Sequence, residues 1–341
     1  MQPTTLAALL PKTKLNAVET ARQAAFNTTK IDSIDLLTGG LSSALVYKIV
    51  VGGKPYVLRL VMEINQLTDP ARQFTCTNIA AAAGITPAVH YANVADALTI
   101  TDFIETTPLS THFTAPEDRL LVVVKTIKTL HASPLFPKLV NFLDGVDMFI
   151  EQFKTLALLP ENVTAEHLKY YAEIQHAYPR HDPDLVSSHN DLNPNNMLFD
   201  GKQLWLIDWE AAFQNDRYVD LAIAARPFVA NEAQETFYLQ AYFGDALDDY
   251  KRARFFLMQQ VCHMYYAMIM LNFAAATKPA NVAVDDQMDT LCLRDFHALI
   301  GAGKISLEGY AGKLAYGKVL LNEALVCMKT PQFVAAIQKM A

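Results

Sequence analysis

Between Ser188 and Glu210 the chain carries the pattern that most restricts its fold. Ser188-His189-Asn190-Asp191-Leu192-Asn193-Pro194-Asn195-Asn196 is followed by two short apolar runs and then by Ile207-Asp208-Trp209-Glu210. The runs Met197-Leu198-Phe199 and Leu204-Trp205-Leu206-Ile207 flank Asp200-Gly201-Lys202-Gln203, which predicts two strands joined by a tight turn. Antiparallel pairing would bring Asn196, at the start of one strand, beside Asp208, at the end of the other, about 5 Å apart at the backbone. An amide and a carboxylate so placed suit Mg²⁺, which takes hard oxygen ligands, few of them from protein. Asp191 lies five residues before Asn196 in a loop stiffened by Pro194 and is placed to accept the proton of an attacking hydroxyl.

The segment from His189 to Ala222, ending Tyr218-Val219-Asp220-Leu221-Ala222, resembles the aminoglycoside phosphotransferase and choline/ethanolamine kinase family. That family carries a His-x-Asp-x-x-x-x-Asn loop, a hydrophobic strand ending in Asp, and an Asp-Leu-Ala or Asp-Ile-Ala element. The resemblance implies an α+β, protein-kinase-like, two-lobed fold with ATP and Mg²⁺ as cofactors. Asp191 is then the catalytic base, with His189 beside it in the catalytic loop, and Asn196 and Asp208 are the metal ligands.

The order of elements agrees. Asn16 to Phe26 reads as a leading helix, and Ile34–Leu37, Ala44–Val51, Tyr56–Val61 and Leu98–Phe103 read as strands, with Gly52-Gly53-Lys54-Pro55 as a hairpin turn. Pro70 to Ala83 is a helix opened by Asp69 and closed by Gly84. From Glu117 to His131, Leu120, Val123, Val124, Ile127 and Leu130 recur at the helical period. Beyond Pro116 the pattern is almost wholly helical apart from the loop and its hairpin. The expected division is a β-rich N-lobe over residues 1–104, a connector near Asp102 to Pro108, and a C-lobe over residues 105–341.

A length of 341 residues suits two packed units, and a net charge of -7 without a long basic run disfavours nucleic acid as a partner. Cys76, Cys262, Cys292 and Cys327 are too scattered for a disulfide framework and read as buried thiols in a reducing compartment. Leu6 to Leu10, cut short by Pro11, is a poor secretory signal, and Val261 to Ala276 falls below the ~20 apolar residues a spanning helix needs. The expectation is a cytoplasmic protein, not inserted in a membrane, acting on a small molecule with a hydroxyl group.

The nucleotide is expected between the lobes. Thr38-Gly39-Gly40-Leu41-Ser42-Ser43 lets backbone N–H groups approach phosphate oxygens, although a plain hairpin turn accounts for it equally well. Arg59 shares a strand face with Val57 and Val61, and an inward arginine needs an anionic partner, either a phosphate or a structural carboxylate. Kinase-like folds usually place a lysine here, and Leu58-Arg59-Leu60 resembles the choline-kinase branch. Many relatives supply a glutamate from the following helix to pair with this cation, and Gln73 stands at the corresponding position. The resemblance makes Asp102-Phe103-Ile104-Glu105 the hinge, with backbone groups of Phe103 and Ile104 against the base edge, and a plain edge strand accounts for the same residues equally well.

His189 reads as a loop-shaping hydrogen-bonder more than a proton carrier, and His131 as a packed core histidine. Asp220 either caps the helix starting at Leu221 or braces the catalytic loop. Glu210, sharing a face with Asp208 in extended backbone, binds metal or a substrate amine, or is merely solvated. For the substrate, Phe255, Met258, Cys262, Tyr265 and Ile269 make a stripe better explained by a core helix, while Tyr266 and His263 are placed to line a cleft. An amino alcohol of choline or ethanolamine type is the expected acceptor, although Ile223-Ala224-Ala225-Arg226-Pro227-Phe228 replaces the Asn-His-Phe run usual after Asp-Ile-Ala in those kinases. The alternatives are an aminoglycoside or sugar O-phosphotransferase, with Glu232, Glu235, Asp245, Asp248 and Asp249 as an acidic rim, and a catalytically silent nucleotide-binding module with Gln73 as its symptom.

Overall fold

The computed structural model describes residues 9–37, 44–180, 185–284 and 286–340. The N-terminal part is a five-stranded antiparallel sheet built from β1 (Ser33–Leu37), β2 (Leu45–Val51), β3 (Lys54–Leu60), β4 (Val89–Asn93) and β5 (Leu98–Asp102), in the order β1-β2-β3-β5-β4. Val51 pairs with Lys54, so the β2–β3 connection is the two residues Gly52 and Gly53, at φ 58° and 76°. A two-residue turn with both positions left-handed matches the twist of the strands it joins, and glycine adopts it without steric cost.

Register decides which side chains go where. Tyr47 faces Leu58 across β2 and β3, and Ile49 and Leu60 share their side of the sheet, where they pack with Leu98, Ile100 and Val18 of the helix Leu15–Phe26. Strand residues alternate between faces, so Arg59, opposite Val46, projects from the other surface. β4 goes unpredicted because His90, Ala92 and Asn93 leave only Val89 and Tyr91 as strand formers; it is an edge strand of alternating exposure with a register shift between Val89 and Tyr91.

The helix Pro70–Ala82 begins where expected: Asp69 accepts hydrogen bonds from the N–H groups of Ala71 and Arg72, and proline occupies the first turn. The helix Pro116–His131 buries Leu120, Val123, Val124, Ile127 and Leu130, the periodic set. Two further two-stranded sheets support the loop region. β6 (Val186–Ser188) pairs with β9 (Phe213–Asn215), and β7 (Met197–Phe199) pairs with β8 (Leu204–Leu206). β6 and β9 are three residues each, too short for alternation to show in the sequence.

The chain forms two compact units. One comprises residues up to Lys138 with Val186–Asp220 and Ala224–Tyr242; the other comprises Leu139–Leu185, Leu221–Ile223 and Phe243 onward. The sheet, the helix Pro70–Ala82 and the loop with its hairpin all belong to the first. The second is helical, organised by Asp249–Ala276 against Tyr310–Met328. At Gly317 a Cβ would lie 2.6 Å from Leu271 Cγ, so the helices meet closely only because that position has no side chain. In the helix Asp249–Ala276, Phe255, Met258 and Cys262 are buried while Tyr265 and Ile269 are half-buried, so the stripe is core at one end only. Cys76 and Cys262 are buried as expected, but Cys292 is exposed and Cys327 half-buried; none of the four is in a disulfide. Among the described residues no helix is long and apolar enough to cross a membrane.

Candidate functional site

The hairpin forms with a register one residue away from the expected rung. Met197 faces Leu206, and the Ile207 N–H donates to the Asn196 carbonyl at 3.1 Å, so Asn196 stands opposite Ile207 and Asp208 is the next residue along. Asp208 leaves the strand in the left-handed region, φ 63° and ψ 72°, a conformation that costs a non-glycine residue about 1 kcal/mol or more. The turn Pro194–Asn196 precedes β7, with Asn193 capping it through a bond from the Asn195 N–H at 2.9 Å. This arrangement aims Asn196 Nδ2 at Asp191, donating to its carbonyl at 2.9 Å and its carboxylate Oδ2 at 3.0 Å. With the amide nitrogen committed there, Oδ1 is the oxygen of Asn196 suited to a metal.

The loop carrying Asp191 is held from behind by Asp220, which is fully buried. Its Oδ2 accepts from the His189 N–H at 2.8 Å and its Oδ1 from the Asn190 N–H at 2.7 Å. His131 Nε2 donates to the same carboxylate at 3.1 Å, and His131 Nδ1 meets the Tyr242 hydroxyl at 2.6 Å. Burial pushes the Asp220 carboxyl up, but the hydrogen bond and charge of His131, the charge of His189 and the His189 N–H together hold it below the usual carboxylate range. Of the two readings of Asp220, bracing is the one observed: the helix Arg217–Phe228 is capped by Asp216, which accepts from the Tyr218 N–H at 2.9 Å. His131 is therefore more than a packed core histidine.

Asn190 adopts φ 63° and fills the space under the loop with its amide, donating to the Ala211 carbonyl at 2.9 Å and accepting from Ser188 and Asn215. His189 is fully buried, its ring tilted by 50° against Trp209 at 4.7 Å, and its Nε2 donates to the Ile207 carbonyl at 2.8 Å, which ties the loop to the strand end before Asp208. That carbonyl can only accept, so Nε2 carries the proton, in agreement with the loop-shaping reading of this residue.

Arg59 reaches the turn after Asp208. Its Nη2 lies 2.7 Å from Glu210 Oε2 and 3.2 Å from Asp208 Oδ1, and its Nη1 donates to Gln73 Oε1 at 2.7 Å. Burial raises the Asp208 carboxyl above the usual range, opposed by Arg59 and reinforced by the negative charges of Glu210 and Asp191. Asp208 and Glu210 do not share an extended face, because Trp209–Ala211 is a 3₁₀ turn; both nevertheless converge on the guanidinium. Arg72 had given no sign of itself in the sequence. Buried on the helix Pro70–Ala82, it donates to the Glu210 carbonyl at 2.9 Å and also to the carbonyls of Ala212 and Leu67. An arginine in the second position after a proline-opened helix start reads as solvated; its side-chain direction is set only by the tertiary fold.

Phe103 and Ile104 lie just beyond the last rung of β5, Tyr56 with Asp102, so their backbone is outside the ladder. Lys48 Nζ sits 4.1 Å over the Phe103 ring. Gly39, Gly40, Leu41, Ser42 and Ser43 fall outside the described residues. Tyr266 belongs to the second unit, where it contacts Tyr265, which in turn packs on Phe142 and Phe149 at ring separations of 5.0 and 5.8 Å. Of the proposed acidic rim, Asp248 caps its helix and pairs with Lys251, and Asp249 pairs with Lys339 at 3.6 Å, which gives both a local structural role.

No cluster of three or more His, Cys, Asp or Glu side chains suited to a metal occurs among the described residues. An amide oxygen and one carboxylate fit Mg²⁺ bound largely by water and phosphate, and do not fit an ion that needs a full protein cage.

The profile of the phosphotransferase enzyme family matches residues 33–256. A structure of a choline/ethanolamine kinase family protein from Mesorhizobium loti superposes with a TM-score of 0.65 at 23% identity, covering 95% of this chain and 98% of that one. Choline kinase from Cryptosporidium parvum gives 0.66 at 12% identity, covering 92% of this chain and 95% of that one. A spectinomycin phosphotransferase solved with ADP and spectinomycin gives 0.58 at 13%, covering 92% and 98%. At these identities the likeness is one of fold. An uncharacterized protein of Metamycoplasma hominis is 24% identical over 183 residues, 52% of this chain, and the match spans 34% of that relative's length.

Proposed function

Because the chain belongs to the phosphotransferase enzyme family, we propose that it is a small-molecule kinase that moves the γ-phosphoryl group of ATP to the hydroxyl of an amino alcohol of choline or ethanolamine type. In this reading the Asp191 carboxylate orients the acceptor hydroxyl and takes its proton as the new O–P bond forms and the bond to ADP breaks. Asn196 Oδ1 and the Asp208 carboxylate would hold Mg²⁺, which when bound offsets charge on the phosphate oxygens. Arg59, with the backbone of Gly39, Gly40 and Leu41 and the hydroxyls of Ser42 and Ser43, holds the donor phosphates, and the backbone at Phe103 and Ile104 receives the base. His189 acts by holding the loop. Residues 1–104 then form the donor-binding lobe and residues 105–341 the lobe carrying base, metal ligands and acceptor, in a cytoplasmic protein.

The observation that carries the reading is the 3.0 Å bond from Asn196 to the Asp191 carboxylate, together with Arg59 at 3.2 Å from Asp208. An amide tied to the Asp191 carboxylate, with Asp208 the next residue after the rung that Asn196 makes with Ile207, supports the reading, since positioning with charge neutralisation is most of what phosphoryl transfer asks of a protein. The likeness in fold to a choline/ethanolamine kinase family protein and to choline kinase supports an amino alcohol as acceptor. A sugar or aminoglycoside acceptor is the second reading, favoured by Ile223-Ala224-Ala225 in place of Asn-His-Phe.

An ADP-release assay over choline, ethanolamine, sugars and aminoglycosides tests this. The expected result is Mg²⁺-dependent release with an amino alcohol, lost in Asp208→Ala together with tight Mg·ATP binding. Full activity in Asp208→Ala removes the metal role, release only with sugars moves the acceptor to the second reading, and nucleotide binding with no transfer to any acceptor favours the silent module.

A further inference from the structure

Arg59 is the cation of the sheet aimed at the candidate site, and the residue that meets it from the helix Pro70–Ala82 is neutral. Gln73 is 2% exposed and gives Oε1 to Arg59 Nη1 at 2.7 Å, while its Nε2 is buried with no hydrogen-bond partner. A glutamate of the same shape would accept the same bond and leave no orphaned donor, so packing does not explain the amide. Charge does. Nη2 of Arg59 already lies 2.7 Å from Glu210 and 3.2 Å from Asp208, and a third carboxylate at 73 would crowd like charges around one guanidinium. Glu210 is itself fixed, because Arg72 holds its carbonyl at 2.9 Å and Trp209, next to it in the chain, is buried with its indole N–H on Thr86 at 3.0 Å.

We infer that Glu210 is the positioning residue of Arg59: the anionic partner of the phosphate-binding cation is supplied by the turn after Asp208, and Gln73 only completes the fork. The inference rests on the assignment of Arg59 to the donor phosphates. It also makes one turn responsible for two jobs, presenting Asp208 and aiming Arg59, two residues apart. The charge that a helix would otherwise contribute has moved to the strand end that carries the metal carboxylate.

The full-length chain and the isosteric variants E210Q, Q73E and Q73E/E210Q decide it, with ATP affinity measured by calorimetry in Mg²⁺ and in chelator, and turnover measured separately. The expected result is that E210Q weakens ATP about tenfold in both conditions, the size of one lost charge-assisted hydrogen bond, while turnover at saturating ATP changes far less, and that Q73E/E210Q recovers most of the affinity. Unchanged affinity in E210Q, a loss seen only with Mg²⁺, or no recovery in the double variant would overturn the inference. If the wild-type protein binds no ATP, the kinase reading is what fails, and the pair is then decided without nucleotide. Thermal unfolding of R59M, E210Q and R59M/E210Q must show coupling between the two positions, and purely additive losses would overturn it.

Discussion

The loop carrying Asp191 and the turn carrying Asp208 lie side by side but are held by different physics. The loop is braced by Asp220, fully buried, through backbone N–H groups of His189 and Asn190 and through His131, with Asn190 and Asn215 filling the layer beneath. The turn is held by cations from outside, Arg59 on its carboxylates and Arg72 on its carbonyls, with the carboxylate side chains 26% and 37% exposed. Buried hydrogen bonds whose loss strands a charge fix geometry tightly, whereas partly exposed ion pairs are weaker and screened by salt. The Asp191 loop is thus held rigidly, whereas at the turn it is the side-chain ion pairs of Arg59 that are adjustable, on a backbone fixed by Arg72 and Trp209.

The sharpest way to break this contrast is Asp220→Ala. It leaves the N–H groups of His189 and Asn190 and the ring of His131 without their acceptor, and a loss of roughly 3–5 kcal/mol in chemical denaturation is expected, with turnover falling alongside. A loss under about 1 kcal/mol would mean the loop is not held from behind. Because the Asp220 carboxyl is held below its unfolded value, its contribution is complete above the ordinary carboxylate range near pH 4 and fades as pH falls through the lower folded value. Wild-type stability should drop below about pH 4 and the Asp220→Asn curve should be flatter there. Asp191→Ala separates geometry from chemistry: kcat is expected to fall on the order of a thousandfold while the unfolding midpoint and ATP affinity hold. Arg72→Met probes the turn, with about 1.5–3 kcal/mol lost and nucleotide affinity, measured by titration, falling more than kcat. Tyr242→Phe, at the far end of the Asp220 brace, should cost about 1 kcal/mol by thermal unfolding and leave the ATP affinity alone.

The sequence is most readable where local rules suffice. The β2–β3 hairpin announces itself through Gly52-Gly53, the helix Pro70–Ala82 through Asp69 and its proline, and the helix Pro116–His131 through its apolar period. The loop and hairpin of the candidate site are legible because Asp191, Asn196 and Asp208 are close in the chain. What escapes depends on distant pairing. The offset that sets Asn196 opposite Ile207 follows from the turn that pairs Phe199 with Leu204, and the left-handed Asp208 just beyond it is signalled by no local pattern. Arg72, His131 and Tyr242 find their partners 138, 89 and 111 residues away, so neither propensity nor periodicity reveals them.

Arg72 and Gln73 are consecutive on one helix, and their contacts return to a common point. Arg72 takes the Glu210 carbonyl, the Glu210 side chain takes Arg59, and Arg59 takes Gln73. The four residues make a closed circuit, and a circuit cannot be lengthened at one joint without loading the others. Any tilt of the helix Pro70–Ala82 must therefore be transmitted to the strand that bears Arg59 and to the carboxylates beside it as a single movement, which makes that helix a gear rather than a wall of the site.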